Sequence, residues 1–432
     1  MVEVKEEEEY VVKALLVGKP PRNKEEDPRP VELEGLVKTM GYQCVGIFTM
    51  TRLEVAPVYG MGKGKAAEIA NRAKELMADC IIFDWEIEPT KQRNWEKLTN
   101  LPCFDRNEVI LRIFAQRAQT KEAVLQVELA KLTYSLPRLS HTYGNMARQR
   151  GGSYGAKGSG ETQLELDRRQ IEEKIIQIKK ELESVELNRA TQRKQRERTA
   201  LQSCALVGYT NAGKSSLLNA LTGAEVFVED ELFATLDPTT RKLELPEGTS
   251  ILITDTVGFI SNLPHTLIKA FKSTLEEASR ANLLLITVDS SDDNFFKQYK
   301  EVQKVLAEIN ADKIQQLVLL NKIDNVKDNV VRMAELKAVF PDAIYLSAKT
   351  QEGFEELLSK ITENLLGKEE NYIIPLERTD IEVLIRKNGT ITKEEWLEDG
   401  IHLTARIQGT FDDEGKASSR TLALAAPYII KK

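Results

Sequence analysis

The stretch Gly208-Tyr209-Thr210-Asn211-Ala212-Gly213-Lys214-Ser215 constrains this chain more than any other, because it fits G-x-x-x-x-G-K-[ST] without a mismatch. An apolar run, Cys204-Ala205-Leu206-Val207, precedes it, and a helical pattern, Ser216-Leu217-Leu218-Asn219-Ala220-Leu221, comes after it. Strand, loop and helix in that order is the context a phosphate-binding loop needs. Gly208 and Gly213 let the backbone turn so that successive N–H groups face one phosphate, and the positive end of the new helix adds to that field. In this frame Lys214 reaches the β and γ phosphates, and the Ser215 hydroxyl is placed to ligate Mg²⁺.

Further motifs stand at the ends of apolar runs. Asp255-Thr256-Val257-Gly258 has the form of the second Mg²⁺ and γ-phosphate element, with Asp255 holding the ion through water and the Gly258 N–H meeting the γ-phosphate. Asn321-Lys322-Ile323-Asp324 offers a carboxylate that can accept from both N1–H and the exocyclic amine of guanine, a pattern that adenine cannot supply. Ser347-Ala348-Lys349 is placed to close over the base. In this order, at strand ends, these motifs predict a GTPase domain. The threonine that senses the γ-phosphate must come from Phe233-Ala234-Thr235-Leu236-Asp237-Pro238-Thr239-Thr240, where spacing allows Thr235, Thr239 or Thr240. After Gly258, where many GTPases place a water-orienting glutamine, stands Phe259, which predicts slow hydrolysis until a partner completes the site.

At 432 residues the chain is long for one domain, and length suggests roughly three. A net charge of −7 gives no global basic field, so any polyanion site must be local. Cys44, Cys80, Cys103 and Cys204 are far apart, as suits reduced, buried thiols rather than disulfides or a metal site. The start is acidic, with no signal-peptide core, and no run reaches membrane-spanning length. The expectation is a monomer in the cytoplasm, with peripheral attachment to a membrane left open.

Taken in order, residues 1–105 read as an N-terminal α/β domain with strands at Tyr10–Val17, Gln43–Phe48 and Cys80–Asp84 and helices at Pro30–Met40 and Ala66–Met77. Its turn Gly60-Met61-Gly62-Lys63-Gly64-Lys65 is open to two readings, an anion site or a tight turn. Residues 106–200 read as a helical hairpin, Glu108–Leu132 and Glu161–Thr199, with Leu164, Ile171, Ile175, Ile178, Leu182 and Val185 along a coiled-coil seam. From Leu129 to Gly160 there is no Asp or Glu, while Lys131, Arg138, Arg148, Arg150 and Lys157 alternate with tyrosines and glycines. Charge, stackable rings and adaptable backbone suit irregular RNA, and Arg148, Arg150 and Lys157 are the candidate contacts, plain disorder being the alternative. Residues 201–367 read as the GTPase domain, a doubly wound sheet. Lys368-Glu369-Glu370-Asn371 reads as a linker to a small α+β domain over 368–432.

Several of these runs together resemble one family. Phe233 to Thr240, Asp255-Thr256-Val257-Gly258-Phe259-Ile260, Leu263-Pro264-His265 and Gly160-Glu161-Thr162-Gln163-Leu164-Glu165 look like HflX, a ribosome-associated GTPase of the translation-factor class, as do Gly60–Lys65 and Phe114-Ala115-Gln116-Arg117-Ala118. The family usually has proline where Ser159 stands. The resemblance implies that Thr235 is the Mg²⁺ threonine. The expected metal ligands are then Ser215 and Thr235, and the expected catalytic groups Lys214, Thr235 and Gly258, with Phe233, Ala234, Leu236 and Asp237 also lining the nucleotide. It further implies a partner, the large ribosomal subunit and its rRNA, and a role in splitting or rescuing stalled ribosomes. Two alternatives stand beside it: an assembly GTPase on rRNA precursors, which uses the same parts, and a GTP-dependent switch that recruits protein partners through the hairpin seam and does no RNA work.

Overall fold

The computed structural model describes residues 10–20, 29–50, 56–141, 157–197, 202–223, 231–246, 248–261, 272–409, 417 and 419–430. The sequence motif Leu263-Pro264-His265 lies outside them, as do Arg148 and Arg150. The chain divides into two compact units: residues 1–195 with 229–237 and 262–274, and residues 196–228 with 238–261 and 275–432.

The first unit is built on a four-stranded parallel sheet of β1 (Lys13–Gly18), β2 (Gln43–Thr49), β3 (Cys80–Phe83) and β4 (Cys103–Asp105), in the order β2-β1-β3-β4. Helices α1 (Val31–Thr39), α2 (Lys63–Glu75) and α3 (Pro89–Thr99) connect the strands. Leu15, Val17, Ile81 and Phe83 pack against Ala66, Ile69 and Trp95 in its core. Helix α3 and strand β4 have no counterpart in the sequence reading. Helix α2 starts earlier than read: Gly62 is its N-cap, so Lys63, Gly64 and Lys65 form its first turn rather than a loop. Lys65 there pairs with Glu68 and lies over the Phe48 ring.

The segment read as one helix, Glu108–Leu132, is two. Helix α4 (Arg106–Arg117) comes directly after β4 and buries Val109, Ile110, Ile113 and Phe114. Helix α5 (Lys121–Ser135) begins anew at Thr120, whose hydroxyl accepts from the Ala123 N–H. A 41-residue helix, α6 (Lys157–Glu197), follows in the chain, and its Lys174 pairs with Glu128 of α5. Ile178 is buried, and Ile171, Ile175, Leu182 and Val185 are half-buried on the same stripe.

The second unit holds a six-stranded sheet in the order β10-β9-β8-β5-β7-β6. Its strands are β5 (Ser203–Gly208), β6 (Thr239–Glu244), β7 (Ser250–Asp255), β8 (Leu283–Asp289), β9 (Gln316–Asn321) and β10 (Ile344–Tyr345). All pair in parallel except β6, which runs antiparallel to β7 and was not read from the sequence. Helices α7 (Lys214–Thr222), α8 (Lys272–Arg280), α9 (Phe295–Glu308), α10 (Val330–Val339) and α11 (Phe354–Leu366) complete the doubly wound layers. The order reverses beside β5, and ligands of such sheets bind at that switch point, outside the carboxyl ends of the strands.

The C-terminal residues join α11 without a linker. Gly367, at φ +94°, turns the chain toward β11 (Glu369–Ile374), so all of the polar run read as a linker except Lys368 lies in a strand. A side chain at Gly367 would meet the Ile407 carbonyl at 2.0 Å. Strands β12 (Gly389–Leu397) and β13 (Gly400–Ile407) complete an antiparallel sheet, and α12 (Thr379–Asn388) and α13 (Arg420–Ala425) cover one face.

Candidate functional site

Four of the motifs converge at the carboxyl end of the second unit's sheet. Strand β5 runs into the loop Gly208–Gly213, and α7 leaves it. Gly213 takes φ +90°, and a Cβ there would stand 2.3 Å from Asn321 Nδ2, so both the conformation and the space demand glycine. A Cβ on Gly208 would meet the Thr287 carbonyl oxygen at 2.3 Å. The Lys214 ammonium is folded into the loop, donating to the carbonyls of Tyr209 at 2.8 Å and Gly208 at 3.2 Å. Burial lowers its pKa to about 8, with Asp255 pulling the other way. A phosphate at the loop would supply the counter-charge that this buried cation lacks in full.

Strand β7 ends at Asp255, which is fully buried and accepts from Ser215 Oγ at 2.6 Å. Thr256 and Val257 are buried, and the Thr256 hydroxyl donates to the Leu206 carbonyl at 2.7 Å. Gly258 passes against the phosphate loop: a Cβ on it would lie 2.8 Å from Thr210 Cα and 3.1 Å from Lys214 Nζ. Phe259 is 1% exposed, its ring in the core.

The Asn321–Asp324 motif is tied to the phosphate loop and to Ser347–Ala348. Asn321 donates through Nδ2 to the Ala212 carbonyl at 2.9 Å and accepts from the Ala348 N–H at 3.0 Å. Lys322 donates to the Asn211 carbonyl at 2.8 Å and pairs with Asp289 at 2.8 Å. Ser347 Oγ donates to Asp324 Oδ1 at 2.7 Å, which orients that carboxylate. Ile323 is buried and Lys349 exposed. Asp289, at the end of β8, was missed in the sequence although its place at a strand end was a readable signal.

The remaining predicted residues fall in two different parts of the chain. Phe233, Ala234, Thr235, Leu236 and Asp237 belong to the first unit. Phe233, at φ +58°, is buried edge-on against Phe114 with ring centres 4.6 Å apart. Asp237 accepts from the N–H groups of Gln119 and Thr120, both at 3.2 Å, and from the Thr120 hydroxyl. Arg117 pairs with Glu231. Of the threonines that spacing allowed, Thr239 and Thr240 are in β6, where Thr240 shares a hydrogen bond with Thr254, and Thr235 is in the loop.

The acid-free segment is partly structural, which corrects its reading as one basic loop. Its first residues complete α5, and Arg138 is anchored inward. The Arg138 guanidinium donates to the Ile87 carbonyl at 2.9 Å, the Tyr134 carbonyl at 3.0 Å and Gln92 Oε1 at 3.0 Å, and stacks 3.5 Å over the Tyr134 ring. Lys157 opens α6, and Arg148 and Arg150 lie outside the described residues. No helix among the described residues is long and apolar enough to cross a membrane.

A phosphate loop at the switch point, a hydrogen-bonded Ser215–Asp255 pair beside it and the Asn321–Asp324 and Ser347–Ala348 segments at the neighbouring strand ends define a P-loop GTPase. Comparison with known proteins agrees. A family model described as "50S ribosome-binding GTPase" matches residues 203–322. Models described as "GTP-binding GTPase N-terminal" and "GTP-binding GTPase Middle Region" match residues 29–115 and 117–196. The chain is 42% identical to GTPase HflX of Akkermansia muciniphila over 95% of its own length and 98% of that protein's. It is 40% identical to GTPase HflX of Escherichia coli, over 87% and 88%. Among solved structures, it is similar to a GTP-binding protein from Sulfolobus solfataricus in complex with GDP. That match has 25% identity and a TM-score of 0.45, over 82% of this chain and 98% of the other. The chain belongs to the HflX family of GTPases, and it hydrolyses GTP.

Proposed function

We propose that this GTPase works on the large ribosomal subunit, splitting or rescuing stalled ribosomes, and that the ribosome stimulates its hydrolysis. The observation that carries this reading is Phe259. A buried phenyl ring stands where a water-orienting glutamine would be, so a second molecule must order the attacking water. The match of residues 203–322 to a family of 50S ribosome-binding GTPases supports the choice of partner.

In this reading the loop N–H groups from Asn211 to Ser215 cradle the phosphates, and Lys214 turns from the Tyr209 and Gly208 carbonyls to the β and γ oxygens. Gly258 donates its N–H to the γ-phosphate, and Asp324, held by Ser347, reads guanine. A water oxygen bonds to the γ phosphorus, the bond to the β–γ bridging oxygen breaks, and the water's proton ends on the released phosphate. Ser215 and Asp255 are hard oxygen donors already within hydrogen-bond distance, a fit for Mg²⁺, with Thr235 as a further ligand. When bound, Mg²⁺ neutralises charge on the β and γ oxygens. Arg148, Arg150 and Lys157 contact rRNA phosphates.

The test is single-turnover hydrolysis with and without purified large subunits. Stimulation of about a thousandfold, the low end of what a trans-acting group supplies, is expected. An unchanged rate with saturating subunits refutes the reading.

A further inference from the structure

The phosphate loop and the segment after Asp255 are joined by more than their strands. The Phe259 N–H donates to the Gly208 carbonyl at 3.0 Å, and the Thr210 N–H donates to the Phe259 carbonyl at 2.8 Å. Tyr209 and Phe259 thereby pair as a parallel bridge beyond the ends of β5 and β7. The Tyr209 side chain, 7% exposed, adds a second tie. Its hydroxyl accepts from the Ser261 N–H at 2.6 Å and shares a hydrogen bond with Ser261 Oγ, also at 2.6 Å.

These ties hold the chain immediately after Gly258. The backbone pair fixes residue 259, and the tyrosine hydroxyl fixes residue 261, so the direction of the segment is set from the phosphate-loop side. Two part-buried hydrogen bonds between one hydroxyl and two atoms of the same residue hold Ser261 more firmly than either bond would alone. With a phenyl ring at 259, no side chain there can order water. The geometry of the reaction then depends on how firmly the backbone N–H of Gly258 is held.

We propose that Tyr209 is a positioning residue for GTP hydrolysis: through Ser261 it holds the Gly258 N–H in register with the γ-phosphate. The contribution is specific to the triphosphate. GDP has no γ-phosphate for Gly258 to meet, and the loop N–H groups that would cradle its phosphates come from the backbone, which the tyrosine side chain does not alter. The inference rests on the GTPase activity and not on the ribosomal role, so either can fail without the other.

The experiment uses the full chain with Mg²⁺ and no ribosomes, and compares wild type with Tyr209→Phe, Ser261→Ala and the double variant. Tyr209→Phe keeps the ring and removes the hydroxyl. It is expected to lower the single-turnover hydrolysis rate about tenfold, equal to about 1.4 kcal/mol. The Kd for GDP should stay within about twofold. Ser261→Ala keeps its N–H bond to the hydroxyl and should lose about threefold, and the double variant should be no slower than Tyr209→Phe, since both act through one contact. An unchanged or faster rate in Tyr209→Phe overturns the proposal. So does a loss of GDP affinity in proportion to the rate, which marks a purely structural role for the ring and hydroxyl, or full additivity in the double variant.

Discussion

Replacing Gly258 by alanine perturbs the site at its tightest contact. The new Cβ would stand 2.7 Å from Thr210 Cγ2, 2.8 Å from Thr210 Cα and 3.1 Å from Lys214 Nζ. Carbon atoms rest about 3.5–4.0 Å apart, so the shortfall against Thr210 is about 1 Å. The lysine end and the threonine methyl can swing aside, but Thr210 Cα is backbone of the phosphate loop. Relief therefore comes from the 258–261 segment moving outward, which stretches the Phe259 hydrogen bonds to Gly208 and Thr210. Overpacking of this kind costs about 1–3 kcal/mol of stability. The larger effect is on the reaction, because losing one preorganised donor to the transferring group costs about a hundredfold in kcat. Single-turnover hydrolysis, paired with a GDP titration, separates the two. The expectation is a rate about a hundredfold lower with GDP affinity within about threefold. A rate within threefold of wild type would show that Gly258 does not meet the γ-phosphate, and that the close approach is packing alone.

Other consequences are equally open to measurement. Asp324→Asn should weaken guanine binding by about tenfold or more and favour xanthine nucleotides, whose C2 oxygen accepts from the new amide; a competition assay showing unchanged guanine preference contradicts the assignment. Burial pushes the thiols of Cys80, Cys103 and Cys204 up to about 12. At pH 8 about one in ten thousand is then thiolate, against about a quarter for an ordinary thiol, so iodoacetamide should spare all three until the chain unfolds. Rapid native labelling of any of them, read by mass spectrometry, refutes this burial. Changing Arg148, Arg150 and Lys157 together to alanine should weaken ribosome binding and flatten its dependence on the logarithm of salt by about two to three units; wild-type binding and slope would exclude the rRNA role.

The chemistry was more legible in the sequence than the architecture around it. Phosphate and guanine recognition need fixed residue types at fixed spacing, so Gly208–Ser215 and Asn321–Asp324 announce themselves and fold as expected. Helix α3 did not, because Trp95 and Thr99 are its buried positions and no apolar stripe runs along it. Strand β4 is three residues long, too short for a period. The break between α4 and α5 has no glycine or proline to mark it. It is set by the Thr120 cap and by the Asp237 carboxylate, which arrives from 117 positions away in sequence. Local pattern cannot report such a contact. Arg138 misled for a related reason: its charge reads as surface, while its partners at Ile87, Gln92 and Tyr134 hold it inward. The run Lys368–Asn371 is polar because β11 is largely exposed at its start, so composition alone reads it as a linker.

In the proposed role, GTP drives this protein onto the large ribosomal subunit to separate ribosomes. Sucrose-gradient sedimentation of intact ribosomes mixed with the full chain tests it most directly, run with a non-hydrolysable GTP analogue and again with GDP. With the analogue, the protein should migrate with large subunits while the intact-ribosome peak shrinks; with GDP it should stay at the top. A protein that remains at the top under both nucleotides, with ribosomes intact, does not have this role.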